Sequence, residues 1–496
     1  MKSRSLLYGA LAAVTLLSGC SVGPDYHQPA AVGVPTDWRW KKAEPADALA
    51  KGNWWELFHD PTLNRLEEQA AAQSQNLQEA VARVDEARAK ARLSGAAFFP
   101  QLKFDPSYVR TQLPADDPQF SFVPIPGITS HQPRPYDSFQ VPVDLGYEID
   151  IWGRVRRSFQ SAQAQAQASV ADYESVLLTL HSDVAVEYLT LCEYDLETQI
   201  LQETVKQRTE SLRITKVRVE AGRATNLDVA QAQTDLTNAE AQLDAVEQNR
   251  AETLDAVAEL CGTNATDLNV PFHPLDLAPP EIPAGLPCSL LERRPDIAEA
   301  ERTMAAKNEQ IGVAYAAFFP AVSLTGQGGV LSAHASDLFH WQNTIWSYGP
   351  SITLPIFEGG QNVSNLQVAR AQYDQSVAVY RQSVLLGVKD VEDALADLKF
   401  LAREKEALRQ SVVSAKQATK LQFDRFRVGE TNYTDVIVSN ETELSSERSE
   451  AQVEGQQLYA TVRLIKALGG GWNAAALLPE QPAPGPFGSQ ANLSQR

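Results

Sequence analysis

The chain carries an internal repeat, and this repeat limits the architectures that it can adopt. The segment AAFFP at residues 96–100 recurs at residues 316–320. In two places a glycine stands six residues before an Asp-Val pair: Gly222 precedes Asp228, and Gly429 precedes Asp435. The same two motifs occur in the same order in both parts of the chain. The sequence therefore predicts two halves with similar structures.

Each half has the pattern of a helix, two strands, a long helix, a turn and a return helix. The stretch between the halves contains six prolines and is predicted to be a connector without a long helix. The final stretch follows three glycines, is rich in Pro, Gly and Gln, and is predicted to be flexible. The predicted segments are a signal peptide at 1–19, an acylated N-terminal and equatorial segment at 20–61, a first repeat at 62–261, a connector at 262–294, a second repeat at 295–468, and a tail at 469–496.

Long helices with coiled-coil packing are predicted in both halves. Residues 155–221 and 360–428 read as helix without a proline, so each could form a rod of roughly 100 Å at about 1.5 Å per residue. Apolar or small residues recur every seven positions in the shorter helices, as at Leu63, Ala70 and Leu77. The shorter helices therefore provide the faces against which the rods can pack.

Alternating apolar and polar residues predict four strands. The alternation is strict over residues 140–150 and 346–356 and weaker over 101–111 and 321–331. This is the pattern of a membrane barrel strand, although a soluble sheet with one buried face gives the same alternation. Membrane strands require closed edges, and single-chain barrels begin at about eight strands. If these strands enter lipid, several chains must share one barrel.

The N-terminus has the pattern of a bacterial lipoprotein signal. Lys2 and Arg4 precede a short apolar run that ends in Leu-Ser-Gly before Cys20. We expect cleavage before Cys20 and acylation of this residue. Lipoproteins retained at the inner membrane usually carry Asp directly after the acylated cysteine. This chain has Ser21 at that position, so the outer membrane is the expected destination.

Composition excludes several functional classes. The formal net charge is −19, which argues against nucleic acid as a partner. No zinc-type spacing of Cys or His and no phosphate-binding loop is present, and no cofactor is expected. A periplasmic hydrolase lacks a recognisable catalytic motif. Cys261 and Cys288 could pair in an oxidising compartment, and the sequence leaves this open.

These features together resemble a known family: the outer-membrane efflux channels of the TolC/OprM type, in the NodT-like lipoprotein branch. The likeness extends over nearly the whole mature chain. Its carriers are CSVGPDY at 20–26, WWELFHDP at 54–61, FFP at 98–100 and 318–320, DIWGR at 150–154, RRPDI at 293–297, and PIFEGG at 355–360.

The resemblance implies a mainly α protein with a membrane β part. It implies a homotrimer in which four strands per chain form one twelve-stranded β-barrel that continues into a periplasmic tunnel of helices. Such channels have no catalytic activity. They are lipid-anchored in the outer membrane, dock with a periplasmic adaptor and an inner-membrane pump of the RND type, and give drugs and other small molecules an exit. A coiled-coil tether without channel activity is the alternative.

The resemblance also implies a periplasmic gate at the two helix turns. The matching residues are Gly222 and Asp228 on one turn, and Gly429 and Asp435 on the other. Asp435 corresponds to an acidic residue that faces the lumen in related channels. Some members hold the gate shut through an Arg and a Tyr on the second turn, whereas this chain has Thr431 and Phe426 at the corresponding positions.

Overall fold

The computed structural model describes residues 21–30, 32–41, 53–112, 135–283, 287, 293–470 and 472. The predictions for the signal peptide, for Cys20, for Cys288 and for most of the tail lie outside these residues. The helices are α1 (Pro61–Gln73), α2 (Gln75–Gly95), α3 (Arg154–Glu220), α4 (Asn226–Leu260), α5 (Pro295–Ala316), α6 (Gln361–Val428) and α7 (Tyr433–Ala467). The strands are β1 (Gln101–Phe104), β2 (Ser107–Thr111), β3 (Tyr136–Ile149), β4 (Ala321–Ser332) and β5 (Thr344–Thr353).

The two long helices confirm the prediction from the proline-free runs. Helix α3 has 67 residues and α6 has 68, and each begins and ends within one residue of its predicted bounds. The return helices α4 and α7 have 35 residues each. The first predicted helix, in contrast, is broken, because Ser74 has an extended backbone (ψ 125°) between α1 and α2.

The strands form one antiparallel sheet in the order β1-β3-β4-β5, with β2 also paired to β3. Gln101 pairs with Gly146 and Ser107 pairs with Gln140, so β1 and β2 keep a single register on β3. They are one strand interrupted at Pro106, which lacks the N–H that a sheet ladder needs. The predicted four-strand count is therefore correct, with one strand in two pieces.

The sheet exposes apolar side chains and leaves two edges without a partner strand within the described chain. Trp346, Tyr348 and Ile352 on β5 expose between 70% and 80% of their surface. Among the strands of the described residues, β5 pairs only with β4, and the interrupted strand pairs only with β3. Exposed large apolar residues beside unpaired edges are typical of a surface that another chain or lipid covers.

The chain divides into two compact units. One contains the sheet and is made of the described residues within 1–28, 86–166 and 303–377, and the other is made of the described residues within 29–85, 167–302 and 378–496. The second unit holds a large hydrophobic core in which Trp54, Tyr188 and Leu458 are at least 99% buried. The thiols Cys192 and Cys261 are buried and free. Within the described part of the chain, no helix is both long and apolar enough to cross a membrane.

Asp60 joins the start of α1 to α3 within this core. One carboxylate oxygen accepts hydrogen bonds from the backbone N–H groups of Thr62 (2.7 Å) and Leu63 (3.2 Å), which caps α1. The other oxygen accepts a hydrogen bond of 2.6 Å from the Tyr188 hydroxyl on α3. Asp60, the last residue but one of the WWELFHDP motif, therefore fixes a helix end and an inter-helix contact together.

We predict that Asp60→Ala lowers stability by about 1–3 kcal/mol, because a cap is lost and a buried hydroxyl loses its acceptor. Thermal unfolding of the purified protein is the measurement. Glu68→Ala, which changes an exposed carboxylate on the same helix, is the control. Equal melting temperatures for the two variants would contradict this role of Asp60.

Candidate functional site

Two helix turns carry the residues that the sequence assigns to a gate. Turn 1 is defined as residues 221–225 between α3 and α4, and turn 2 as residues 429–432 between α6 and α7. Gly222 and Gly429 adopt φ values of 71° and 90°, which a residue with a side chain rarely adopts. The N–H after each glycine donates to a carbonyl five residues earlier, at Arg218 (2.8 Å) and Arg425 (3.0 Å) respectively. The glycines therefore end both long helices in the same way.

Asp228 caps the helix that follows turn 1. Its carboxylate accepts hydrogen bonds from the N–H (2.7 Å) and the hydroxyl (2.8 Å) of Thr225. The backbone N–H of Asp228 donates in return to the Thr225 hydroxyl at 3.3 Å. This reciprocal arrangement is a capping box, and it stabilises the start of α4.

Asp435 lies in the first turn of α7, and its carboxylate accepts a hydrogen bond from the Thr431 hydroxyl of turn 2. The carboxylates of Asp228 and Asp435 thus each bond within their own turn. Each aspartate therefore lies beside the glycine turn of its own helical hairpin. The first hairpin is α3 with α4, and the second is α6 with α7. Thr431, which marks a departure from the family pattern, is the hydroxyl partner of Asp435.

A small hydrophobic cluster joins the two hairpins. Its buried members are Leu212, Ala232, Leu236, Phe426, Tyr433 and Val436. The rings of Phe426 and Tyr433 meet edge to face with centroids 5.2 Å apart. The Arg218 guanidinium lies 4.2 Å from the Phe426 ring centroid and donates to the Phe426 carbonyl. The positively charged Arg218 of α3 therefore lies against the aromatic ring of Phe426 on α6.

Arg208 ties three helices together next to this cluster. Its side chain is 1% exposed on α3 and lies 3.0 Å from a carboxylate oxygen of Asp235 on α4. It also lies 2.9 Å from the carboxylate of Glu441 on α7. Burial raises the pKa of Asp235, and the neighbouring Arg208 works in the opposite direction. The guanidinium therefore offsets part of the cost of burying this carboxylate between the hairpins.

Sequence reasoning missed Arg208 and Arg218. Both belong to a long helix with many charged residues, and their partners on other helices lie 27 to 233 residues away along the chain. The only local signal is an arginine four residues before Gly222. Among the residues that the structure describes, no group of His, Cys, Asp and Glu side chains could hold a metal ion.

The family model for outer membrane efflux proteins matches residues 66–263 and 286–470. The two matched stretches include most of both predicted repeats. The chain therefore belongs to the outer membrane efflux protein family.

Two relatives match along almost the full length of this chain. The chain is 33% identical over 487 residues to the probable efflux pump outer membrane protein TtgC of Pseudomonas putida, covering 95% of this chain and 96% of that protein. It is 32% identical over 475 residues to the pyoverdine export outer membrane protein OpmQ of Pseudomonas aeruginosa, covering 96% and 98%. Both relatives are outer-membrane components of export systems.

Solved channel structures have the same fold. The outer-membrane channel OprN is 29% identical with a TM-score of 0.80, covering 91% of this chain and 100% of that one. The open state of the MtrE outer membrane channel of Neisseria gonorrhoeae is 27% identical with a TM-score of 0.77, covering 91% and 98%. The predicted fold class, the outer-membrane location and the function as an efflux channel component are confirmed. Membership of a pump system implies adaptor and inner-membrane pump partners.

We predict that Arg208→Ala lowers stability by about 3–5 kcal/mol, because it leaves the buried Asp235 carboxylate without its cation. Arg213→Ala is the matched control, since Arg213 lies on the same helix and pairs with Glu210, three residues earlier, where both side chains are exposed to solvent. Thermal unfolding compares the two variants. A melting temperature of Arg208→Ala as high as that of Arg213→Ala would contradict the account of this site.

Proposed function

We propose that this protein is a passive exit duct, in which three copies complete one barrel and one tunnel. The observation that carries the proposal is the sheet, with apolar residues exposed on β5 and two edges that have no partner strand in the described chain. Unpaired backbone N–H and C=O groups are costly in lipid, so the edges require strands from further copies. Three copies with four strands each give the twelve strands that the family resemblance implies.

The cargo proposed for this duct is a range of small organic molecules delivered by a pump. Relatives carry names that refer to antibiotics, toluene and pyoverdine, which are chemically diverse. A wide aqueous lumen accepts such a range, because it makes few specific contacts with what passes. Drug export, and with it antibiotic resistance, follows as the proposed role.

The proposed partners are a periplasmic adaptor and an inner-membrane pump of the RND type. Attachment to the outer membrane is proposed to combine the barrel with acyl chains, palmitate among them, on Cys20. The six segments predicted from the sequence, from the signal peptide at 1–19 to the tail at 469–496, remain our proposed division of the chain.

The gate is proposed to lie at the two turns, with different roles for the two aspartates. Asp435 is exposed beside turn 2, so symmetry-related copies can form an acidic ring around the axis. Such a ring attracts cations and binds multivalent cations as blockers. The capping role of Asp228 supports a function in closure, because a weakened α4 start loosens turn 1. Gly222 and Gly429 give the turns their shape.

We predict that Asp435→Ala abolishes most of the preference for cations, because the ring of like charges is removed. Single-channel recording in planar bilayers measures the permeability ratio and the block by a trivalent cation from the periplasmic side. Asp424→Ala, at an exposed carboxylate on α6, is the matched control and keeps both properties. Asp228→Ala raises the open fraction and leaves selectivity unchanged.

Two results of this recording would count against the proposal. Unchanged selectivity and block in Asp435→Ala would remove Asp435 from the gate while leaving the duct intact. A parent protein that forms no ion-conducting channel at all would support the rival function, a lipid-anchored coiled-coil tether.

A further inference from the structure

Two sequence motifs that the proposed duct leaves unexplained meet around a single arginine. The first is CSVGPDY at residues 20–26, and the second is DIWGR at 150–154. Residues 21–26, which we call the N-terminal strap, lie against the end of β3 and the start of α3. Arg157, in the first turn of α3, is 4% exposed and contacts the strap directly.

The Arg157 guanidinium uses three nitrogens for three partners. Nη1 donates to the Glu309 carboxylate of α5 at 2.8 Å. Nη2 donates to the Asp25 carboxylate at 2.9 Å, and Nε donates to the Ser21 hydroxyl at 3.0 Å. Two of the three partners of this buried cation therefore come from the strap.

The backbone of the strap is also held. The Val22 N–H donates to the Trp152 carbonyl at 3.1 Å, and the Pro24 carbonyl accepts from the Asn308 amide at 3.1 Å. Gly23 has φ 99°, and a Cβ on it would lie only 2.6 Å from the Cα of Gly312. This close approach requires glycine at position 23, and a Cβ on Gly312 would lie 3.0 Å from Nε of Arg157, so the strap fits α5 sterically as well as by charge.

The last residue of the strap packs against two helices. Tyr26 packs against a cluster of three buried alanines, which are Ala164, Ala305 and Ala306. The small side chains leave room for the tyrosine ring between α3 and α5. The strap is therefore seated along six residues and not at one point.

Charge burial explains why the strap stays in place. The Asp25 side chain is 82% exposed, whereas that of Arg157 is 5% exposed. If the strap left, Nε and Nη2 of the Arg157 guanidinium would lose both of their hydrogen-bond acceptors. A buried donor without an acceptor is unfavourable, and more so when it is charged. The docked position is thus favoured by the buried cation itself.

The docking position has the chemistry of a membrane interface. Trp152 stacks on Phe319 with ring centroids 4.6 Å apart, and its indole N–H donates to the Pro320 carbonyl at 2.9 Å. Both aromatic residues lie where strands give way to helices. Tryptophan and other aromatic residues gather at membrane–water boundaries, because one part of each ring is apolar and another polar.

We propose that Arg157 is a positioning residue that holds the lipid-bearing N-terminus at this junction, so that the acyl chains start at the barrel rim instead of on a loose tether. This inference rests on the proposed acylation of Cys20, which is one peptide bond from Ser21. Consecutive Cα atoms are about 3.8 Å apart, so a seated Ser21 limits where the lipid can begin.

Hydrogen–deuterium exchange of the N-terminal peptide tests the proposal on protein purified from outer membranes in detergent. We expect slow exchange at Val22 in the parent and exchange at least about tenfold faster in Asp25→Asn, Arg157→Gln and Gly23→Ala. Asp25→Asn changes an exposed side chain and therefore leaves the fold intact even if Arg157→Gln does not. We expect the matched control Arg156→Gln to keep Val22 protected, since Arg156 is next to Arg157 on α3 but pairs with Asp150, which precedes the helix.

Three results would overturn the proposal. The parent could exchange at Val22 as fast as an open chain, Asp25→Asn and Gly23→Ala could both keep full protection, or Arg156→Gln could lose protection equally. The mass of the same N-terminal peptide reports acylation separately. A missing lipid would therefore count against the proposed anchoring, whereas the exchange rates alone judge the strap.

Discussion

Unpaired strand edges are the constraint on which the rest of this structure depends. Four strands have hydrogen-bonding partners on three interior boundaries and none at the two outer edges within the described chain. Lipid offers no substitute for these partners, because it neither donates nor accepts hydrogen bonds. A sheet of this size can therefore enter a membrane only as part of a larger closed sheet. The internal repeat builds this sheet from two similar parts, since each half contributes one strand pair and one long helix.

Buried arginines hold the helices in fixed positions relative to the elements beside them. Arg157 gathers α3, α5 and the N-terminal strap in one compact unit, and Arg208 gathers α3, α4 and α7 in the other. Each cation has two carboxylate partners from different segments. Burial makes such a cation costly without those partners, which favours one arrangement of the helices over others.

Local patterns in the sequence predicted the elements well, and long-range contacts were the part that they could not predict. The absence of proline defined α3 and α6 to within one residue, and strict alternation identified β3 and β5. The break at Ser74 was missed because the seven-residue spacing continues from Ala70 to Leu77 across it. The roles of Arg157 and Arg208 were missed because their partners are distant in sequence. Asp228 and Asp435 were found from a repeated motif, but only the structure assigns the bonds that each makes within its own turn.

The central claim is that no single chain forms the membrane part of this protein. Native mass measurement of the detergent-purified protein, with circular dichroism to monitor its strands, tests the claim most directly. The account predicts one species with the mass of three chains and no folded monomer, since a monomer would leave both sheet edges open. A stable monomer that retains its strands in detergent would contradict it.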